Sequence, residues 1–228
     1  MATVGYGDVN PTTAAGKFFS VVLIVLGVTT FFGVFANGAE LALSRREKQV
    51  RLRKLNMVIG VFFSEVGTRL IRDFSAADPN FEEIRQGMII SDTWTCQDFV
   101  SVNGHLRAFK FGIEISNINL GSLKEFLLNK RDFLMRLLEN PILLDHESFT
   151  DLLRAVFHLA EELAYREKLT ELPSNDRAHI AGDTKRAYNL LVQQWLDYME
   201  YLKTNYPYLF SLAMRANPFD CQVSPVFK

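Results

Sequence analysis

Residues 18–39 read FFSVVLIVLGVTTFFGVFANGA, 22 positions without a charged side chain. As an α-helix rising about 1.5 Å per residue, the run covers roughly 33 Å, against a bilayer hydrocarbon core of ~30 Å. A buried core helix is the alternative, but uninterrupted apolar runs of this length usually span. A signal peptide fits poorly, because Asp8 precedes the run and six Lys/Arg (Arg45, Arg46, Lys48, Arg51, Arg53, Lys54) follow it. Basic residues beside a span mark its cytoplasmic side. The expected location is the cell membrane, with one span in this sequence, the carboxyl-terminal part in the cytoplasm and the segment before Lys17 outside.

Composition agrees with two kinds of chain joined together. The 228 residues are 48% apolar and 22% charged, with a net charge of −1. Residues 1–56 carry seven Lys/Arg against three acids, and residues 57–228 carry 18 against 23. Disordered, collagen-like and coiled-coil classes are excluded. The charge balance gives no reason to expect nucleic acid. Cys96 and Cys221 are too few for a disulfide scaffold.

Ahead of the span stands Thr3-Val4-Gly5-Tyr6-Gly7-Asp8. Potassium filters are rings of backbone carbonyls in Thr-Val-Gly-Tyr-Gly loops that replace an ion's hydration shell. Gly5 and Gly7 tolerate positive φ, which lets consecutive carbonyls point at one axis. Thr3 adds a hydroxyl to the stack, Tyr6 serves as an outward spacer, and Asp8 places negative charge at the outer mouth, where cations concentrate. An accidental turn would account for Gly-Tyr-Gly alone, but not for the full hexapeptide, a short polar loop and then a span.

With these residues on the page, 1–56 resembles the second half of the pore module of prokaryotic two-transmembrane potassium channels, the calcium-gated members in particular. The run ATVGYGDVNPTTAAGKFFSVVLIVLG carries the likeness: filter, Pro-Thr turn, Gly-Lys entry and apolar inner helix. The resemblance implies that Thr3, Val4, Gly5, Tyr6 and Gly7 line the K+-binding filter, that Gly27 is the gating hinge, and that the protein is a homotetramer. Gly27 also reads as a bending point without the likeness, glycine weakening a helix by about 1 kcal/mol relative to alanine, or as a close helix–helix contact.

Glu40 is the acid nearest the inner end of the span, and a carboxylate facing lipid is costly. Steps of four residues put Ala36, Phe32 and Val28 on its face. This stripe is expected to line the inner pore, with Glu40 as an acidic ring and Phe32 as an apolar narrowing. The alternative places Glu40 at headgroup level, paired with Arg45 or Arg46. A filter loop also needs a pore helix before it and an outer helix around it, so Met1 is expected to be an internal methionine of a longer reading frame.

From residue 57 the sequence reads as helix, and the fold class is all-α: one transmembrane inner pore helix followed by a cytoplasmic helical-bundle domain. The domains are 1–56 and 57–228. Residues 57–63 are too short to span and read as core or interface. Pro79, Gly87 and Gly104 are expected to break the next stretch. Residues 112–121 read as a loop or short strand. A Ser122/Glu125 capping box predicts a helix over 123–139. Further helices are predicted over 147–169, 183–204 and from Pro207 to 214, with a loose tail.

Little chemistry stands out in 57–228. No Gly-x-Gly follows residue 56, so the dinucleotide-type domain usual in calcium-gated relatives is absent. His158 with Glu161 and Glu162, and His179 with Asp183, place ligand types on helical faces. Without a Glu-x-x-His or His-x-x-x-His motif, solvated or capping histidines are the favoured reading. Cys96 lacks a nearby histidine for nucleophilic work. The chain thus reads as no enzyme, with no cofactor, K+ as its permeant ion and as the one metal at the filter. Its partners are its own copies, the bilayer and an unknown cytoplasmic regulator. The rival is a non-conducting, single-span, membrane-anchored signalling or binding protein.

Overall fold

The computed structural model describes residues 11–143 and 146–220. The chain divides into two compact units, Met1–Arg53 and Lys54–Lys228. Among the described residues every regular element is helical.

The first unit is the leading part of helix α1 (Ala14–Phe62). Thr13 starts it, its hydroxyl accepting from the Gly16 N–H at 3.2 Å, as an N-cap residue should. The apolar window of this helix has no buried residue, and it is long and apolar enough to cross a membrane. A helix apolar on all sides and uncovered by protein is at home in lipid.

The second unit begins inside α1. Residues 57–62 continue that helix, and Ile59 and Phe62 are buried, as is Phe63 just after it. A π segment (Phe63–Gly67) and α2 (Thr68–Ser75) extend the apolar stripe through Val66, Leu70, Ile71 and Phe74. The short α3 (Phe81–Arg85) and α4 (Cys96–Ala108) follow. Gly104 lies within α4 instead of ending it, since one glycine costs a helix only about 1 kcal/mol. Residues 112–119 form a loop with a 3₁₀ turn at Ile115–Asn117, and residues 120 and 121 already belong to the next helix.

The helix predicted over 123–139 is two helices, α5 (Leu120–Asn129) and α6 (Arg131–Leu138). Its cap is Asn119, whose side chain accepts from the Ser122 N–H at 3.0 Å. The break at Lys130 lets Leu123 and Leu127 on one side, and Leu134 on the other, reach the same core. Helix α7 (Glu147–Ala164) starts as predicted and stops five residues early. Lys124 Nζ takes its terminal carbonyls, 3.3 Å from Ala164 O and 2.7 Å from Arg166 O, a cationic C-cap. Helix α8 (Ser174–Asn205) starts nine residues before Asp183, because Pro173 presets the entry and Gly182 is tolerated within it. Helix α9 (Pro207–Arg215) closes the described chain.

Helices α7 and α8 are the centre of this unit. They run antiparallel: Ser148 hydrogen-bonds Gln194 at one end and Arg166 bonds Asp176 at the turn. Phe149, Leu152, Val156 and Leu163 from α7 meet Ile180, Tyr188, Leu191 and Trp195 from α8, all buried. Helices α2, α4, α5, α6 and α9 pack around this pair.

One buried acid ties two loops together. Asp78 Oδ1 accepts from Asn80 N at 2.9 Å and from Gly112 N at 3.1 Å. A Cβ on Gly112 would meet Pro79 Cδ at 3.0 Å and Asp78 Oδ1 at 3.1 Å, so a larger residue would have to push these neighbours aside by a few tenths of an ångström. Burial pushes the Asp78 carboxyl above its ordinary value, and Oδ2 accepts no hydrogen bond. Above its unfolded pKa the folded chain holds this proton more tightly than the unfolded chain, so stability falls as pH rises through that interval. Asp78→Asn keeps the acceptor and removes the charge. It is expected to flatten that slope and to leave the protein at least as stable at pH 7. Asp78→Ala leaves two half-buried N–H groups without this acceptor, and is expected to cost at most about 1–3 kcal/mol for each. Melting temperatures from pH 4 to 8 check both, and equal losses in the two variants would rule out the acceptor role.

Candidate functional site: the apolar helix and a cluster between α7 and α8

Thr3, Val4, Gly5, Tyr6, Gly7 and Asp8 lie outside the described residues, as does Cys221. The other expected pore residues are on α1. Val28, Phe32, Ala36 and Glu40 are exposed on one face of it, and Gly27 is half-buried. Phe32 is edge-on to Phe31, with ring centres 5.9 Å apart, and Phe31 stacks on Phe35 at 6.4 Å. Around Gly27 the threonine hydroxyls turn back on the helix: Thr29 Oγ1 donates to Val25 O at 2.6 Å and Thr30 Oγ1 to Leu26 O at 2.7 Å. Bonds of this kind slightly weaken and bend a helix.

Sequence reasoning gave less weight to a second cluster. His158 and Glu162 are one turn apart on α7, and His179 and Asp183 one turn apart on α8. The antiparallel pairing brings the four ligand atoms within 4.8 Å of one another. Glu161 is not part of the group; it pairs with Arg131 at 3.4 Å. The available signal was the repeated His-x-x-x-acid spacing on both sides of the Pro173 turn. Arg166 braces the cluster, its Nη1 2.7 Å from Glu162 Oε2 and its Nε 2.8 Å from Asp176 Oδ2. That guanidinium holds the Glu162 carboxyl below its usual range.

Elsewhere in the second unit, an open groove of about 490 Å³ is lined by Gly60, Phe63, Trp195, Tyr198, Tyr206 and Leu212, among others. Cys96 is exposed, and its Sγ donates to Glu200 Oε1 at 3.4 Å. The carboxylate pushes its thiol pKa up, the opposite of what an activated nucleophile requires.

Comparison with known proteins assigns both ends of the chain. The family model described as "Uncharacterized protein MJ1433, C-terminal helical domain" matches residues 51–215. The chain belongs to that family. Uncharacterized protein MJ1433 of Methanocaldococcus jannaschii is 48% identical over 181 residues, which cover 79% of this chain and 72% of that protein. Residues 1–44 match the "Ion channel" family model. The amino-terminal segment is therefore similar to ion channels, a likeness that suggests an oligomer and a non-enzyme, and with the apolar α1 it fits a membrane protein. No solved structure matches the chain.

Proposed function

We propose that the chain is a subunit of a potassium-selective channel, a homotetramer that passes K+ through carbonyls of Thr3 to Gly7. The observation that carries this reading is the hexapeptide Thr-Val-Gly-Tyr-Gly-Asp directly ahead of an uncovered apolar helix, within a segment that matches ion channels. The fold of a filter loop supplies main-chain oxygens in place of water, and the Thr-Val-Gly-Tyr-Gly sequence supplies the residues that this geometry needs.

In this reading α1 is the inner helix. Gly27 is the hinge, softened by the hydroxyl bonds of Thr29 and Thr30. Val28, Phe32, Ala36 and Glu40 line the inner pore, where Phe32 narrows it and Glu40 draws cations in. The basic residues 45–54 hold the inner end on the cytoplasmic side, and the helical domain that follows modulates the gate.

The experiment is ion flux from liposomes carrying the protein of the full reading frame. K+ release is expected to exceed Na+ release strongly under a driving gradient. Equal passage of both ions, or none with the protein correctly inserted, would overturn the reading in favour of a non-conducting anchored protein.

A further inference from the structure

We propose that His158, Glu162, His179 and Asp183 bind one divalent first-row transition ion, with zinc the best match, and that the ion clips α7 to α8. The inference is independent of what the pore conducts.

The spacing of the four groups is the first argument. His179 Nε2 lies 3.3 Å from Asp183 Oδ2 and His158 Nε2 lies 3.4 Å from the same oxygen. His179 Nε2 is 3.6 Å from Glu162 Oε2, and His158 Nε2 is 3.8 Å from Glu162 Oε1. Well-formed N–H···O bonds fall at about 2.7–3.2 Å, and all four of these contacts are longer. Around zinc, with bonds of about 2.0–2.2 Å, tetrahedral ligand atoms stand roughly 3.4 Å from one another. The four imidazole–carboxylate separations bracket that value, and the whole group lies within 4.8 Å, so small side-chain rotations bring all four groups onto one centre.

Asp183 is the second argument. Its side chain is 5% exposed, and Oδ2 is buried without a hydrogen bond although two imidazole nitrogens flank it. A buried carboxylate oxygen left in this state is costly. A cation shared with both imidazoles satisfies it. Its other oxygen, Oδ1, lies 3.5 Å from Arg186 Nη1.

The donor set selects the ion. Two imidazoles disfavour Mg2+ and Ca2+, which prefer all-oxygen sites, and favour Zn2+ and its neighbours. Two carboxylates neutralise a dication at the half-buried position. Four protein ligands form a closed shell, which suits a structural clip better than a catalytic centre with an open position. Arg166 is the outer support, orienting Glu162 and anchoring it to Asp176 at the turn. The imidazoles of His158 and His179 are both about half exposed, so the ion exchanges with the surrounding solution.

The test uses the full chain in detergent micelles, free of any affinity tag, stripped with EDTA and titrated with zinc chloride by calorimetry. One ion per chain is expected, together with a rise in melting temperature. Replacing both histidines, His158→Gln with His179→Gln, is expected to weaken binding by more than the variant that keeps all four ligands. That variant, Arg166→Gln, is expected to lose about 10–100-fold, as outer-shell substitutions do. His105→Gln, on α4, is expected to change nothing. Cobalt chloride provides a readout that does not depend on the variants: the tetrahedral site is expected to give intense visible bands, unlike the pale octahedral aqua ion. Should the double variant unfold by circular dichroism, the wild-type stoichiometry and the cobalt spectrum decide. No saturable zinc uptake by the wild type, an octahedral cobalt spectrum, or unchanged affinity in a folded double variant would each overturn the proposal.

Discussion

Alanine at Gly5 and Gly7 together is expected to bring K+ and Na+ release from liposomes to near parity, or to end conduction altogether. In the proposed filter these two positions turn successive carbonyls toward one axis by adopting φ values that glycine reaches freely. An L-residue with a Cβ resists that region by about 1–2 kcal/mol. A homotetramer repeats each penalty four times around the axis, so a modest local strain becomes large for the ring. Selectivity depends on replacing the hydration shell of K+ with correctly spaced oxygens, and a filter that relaxes to relieve strain loses that spacing. Alanine at Gly33 is the matched control. It lies on α1, where a Cβ would have nothing within 4 Å, and there it is expected to leave the ion preference unchanged. A double variant that keeps the wild-type preference for K+ would remove the filter from residues 3–7 while leaving the zinc proposal untouched.

The sequence shows the span and the helical class because both depend on signals local to the chain. Residues 18–39 are uncharged over a length that matches a bilayer, and the three-four spacing of Phe149, Leu152, Leu153, Val156 and Phe157 argues for a helix buried on one side. Helix ends were harder. Asn119 takes the capping role that Ser122 and Glu125 suggest from their spacing, and the choice depends on which turn packs against the core. The early end of α7 is set by Lys124, which is 40 residues away from Ala164 in sequence. The histidine–carboxylate cluster was hidden for the same reason. Each helix contributes only two ligands, and a pair spaced by four residues is common on solvated faces. Only the register of α7 against α8 brings the pairs together.

Phe149→Ala is expected to destabilise the carboxyl-terminal unit by about 3–5 kcal/mol, and Phe62→Ala by a similar amount, the usual cost of emptying a fully buried phenylalanine site. Both rings are fully buried. They meet edge to face, with centres 5.4 Å apart and planes at 83°. Phe62 is the last residue of α1, and Phe149 belongs to the first turn of α7. Phe62 also leans edge-on against Phe63, which stacks on Tyr198 at 5.6 Å, so residues 62 and 63 touch both members of the central hairpin. Domains of this size are stable by only about 5–15 kcal/mol, and either loss would be a large share of that. The double variant is expected to lose less than the two single losses added together, by about 0.5–1.5 kcal/mol, the usual coupling of such a ring pair. Urea unfolding followed by tryptophan emission measures this cleanly, because both tryptophans, Trp94 and Trp195, lie in the second unit. Phe32→Ala removes a ring of the same size from an exposed position on α1 and is expected to leave that transition where it is. If it instead shifted the midpoint as far as Phe149→Ala does, burial at the Phe62–Phe149 contact would not be what sets the stability of this unit.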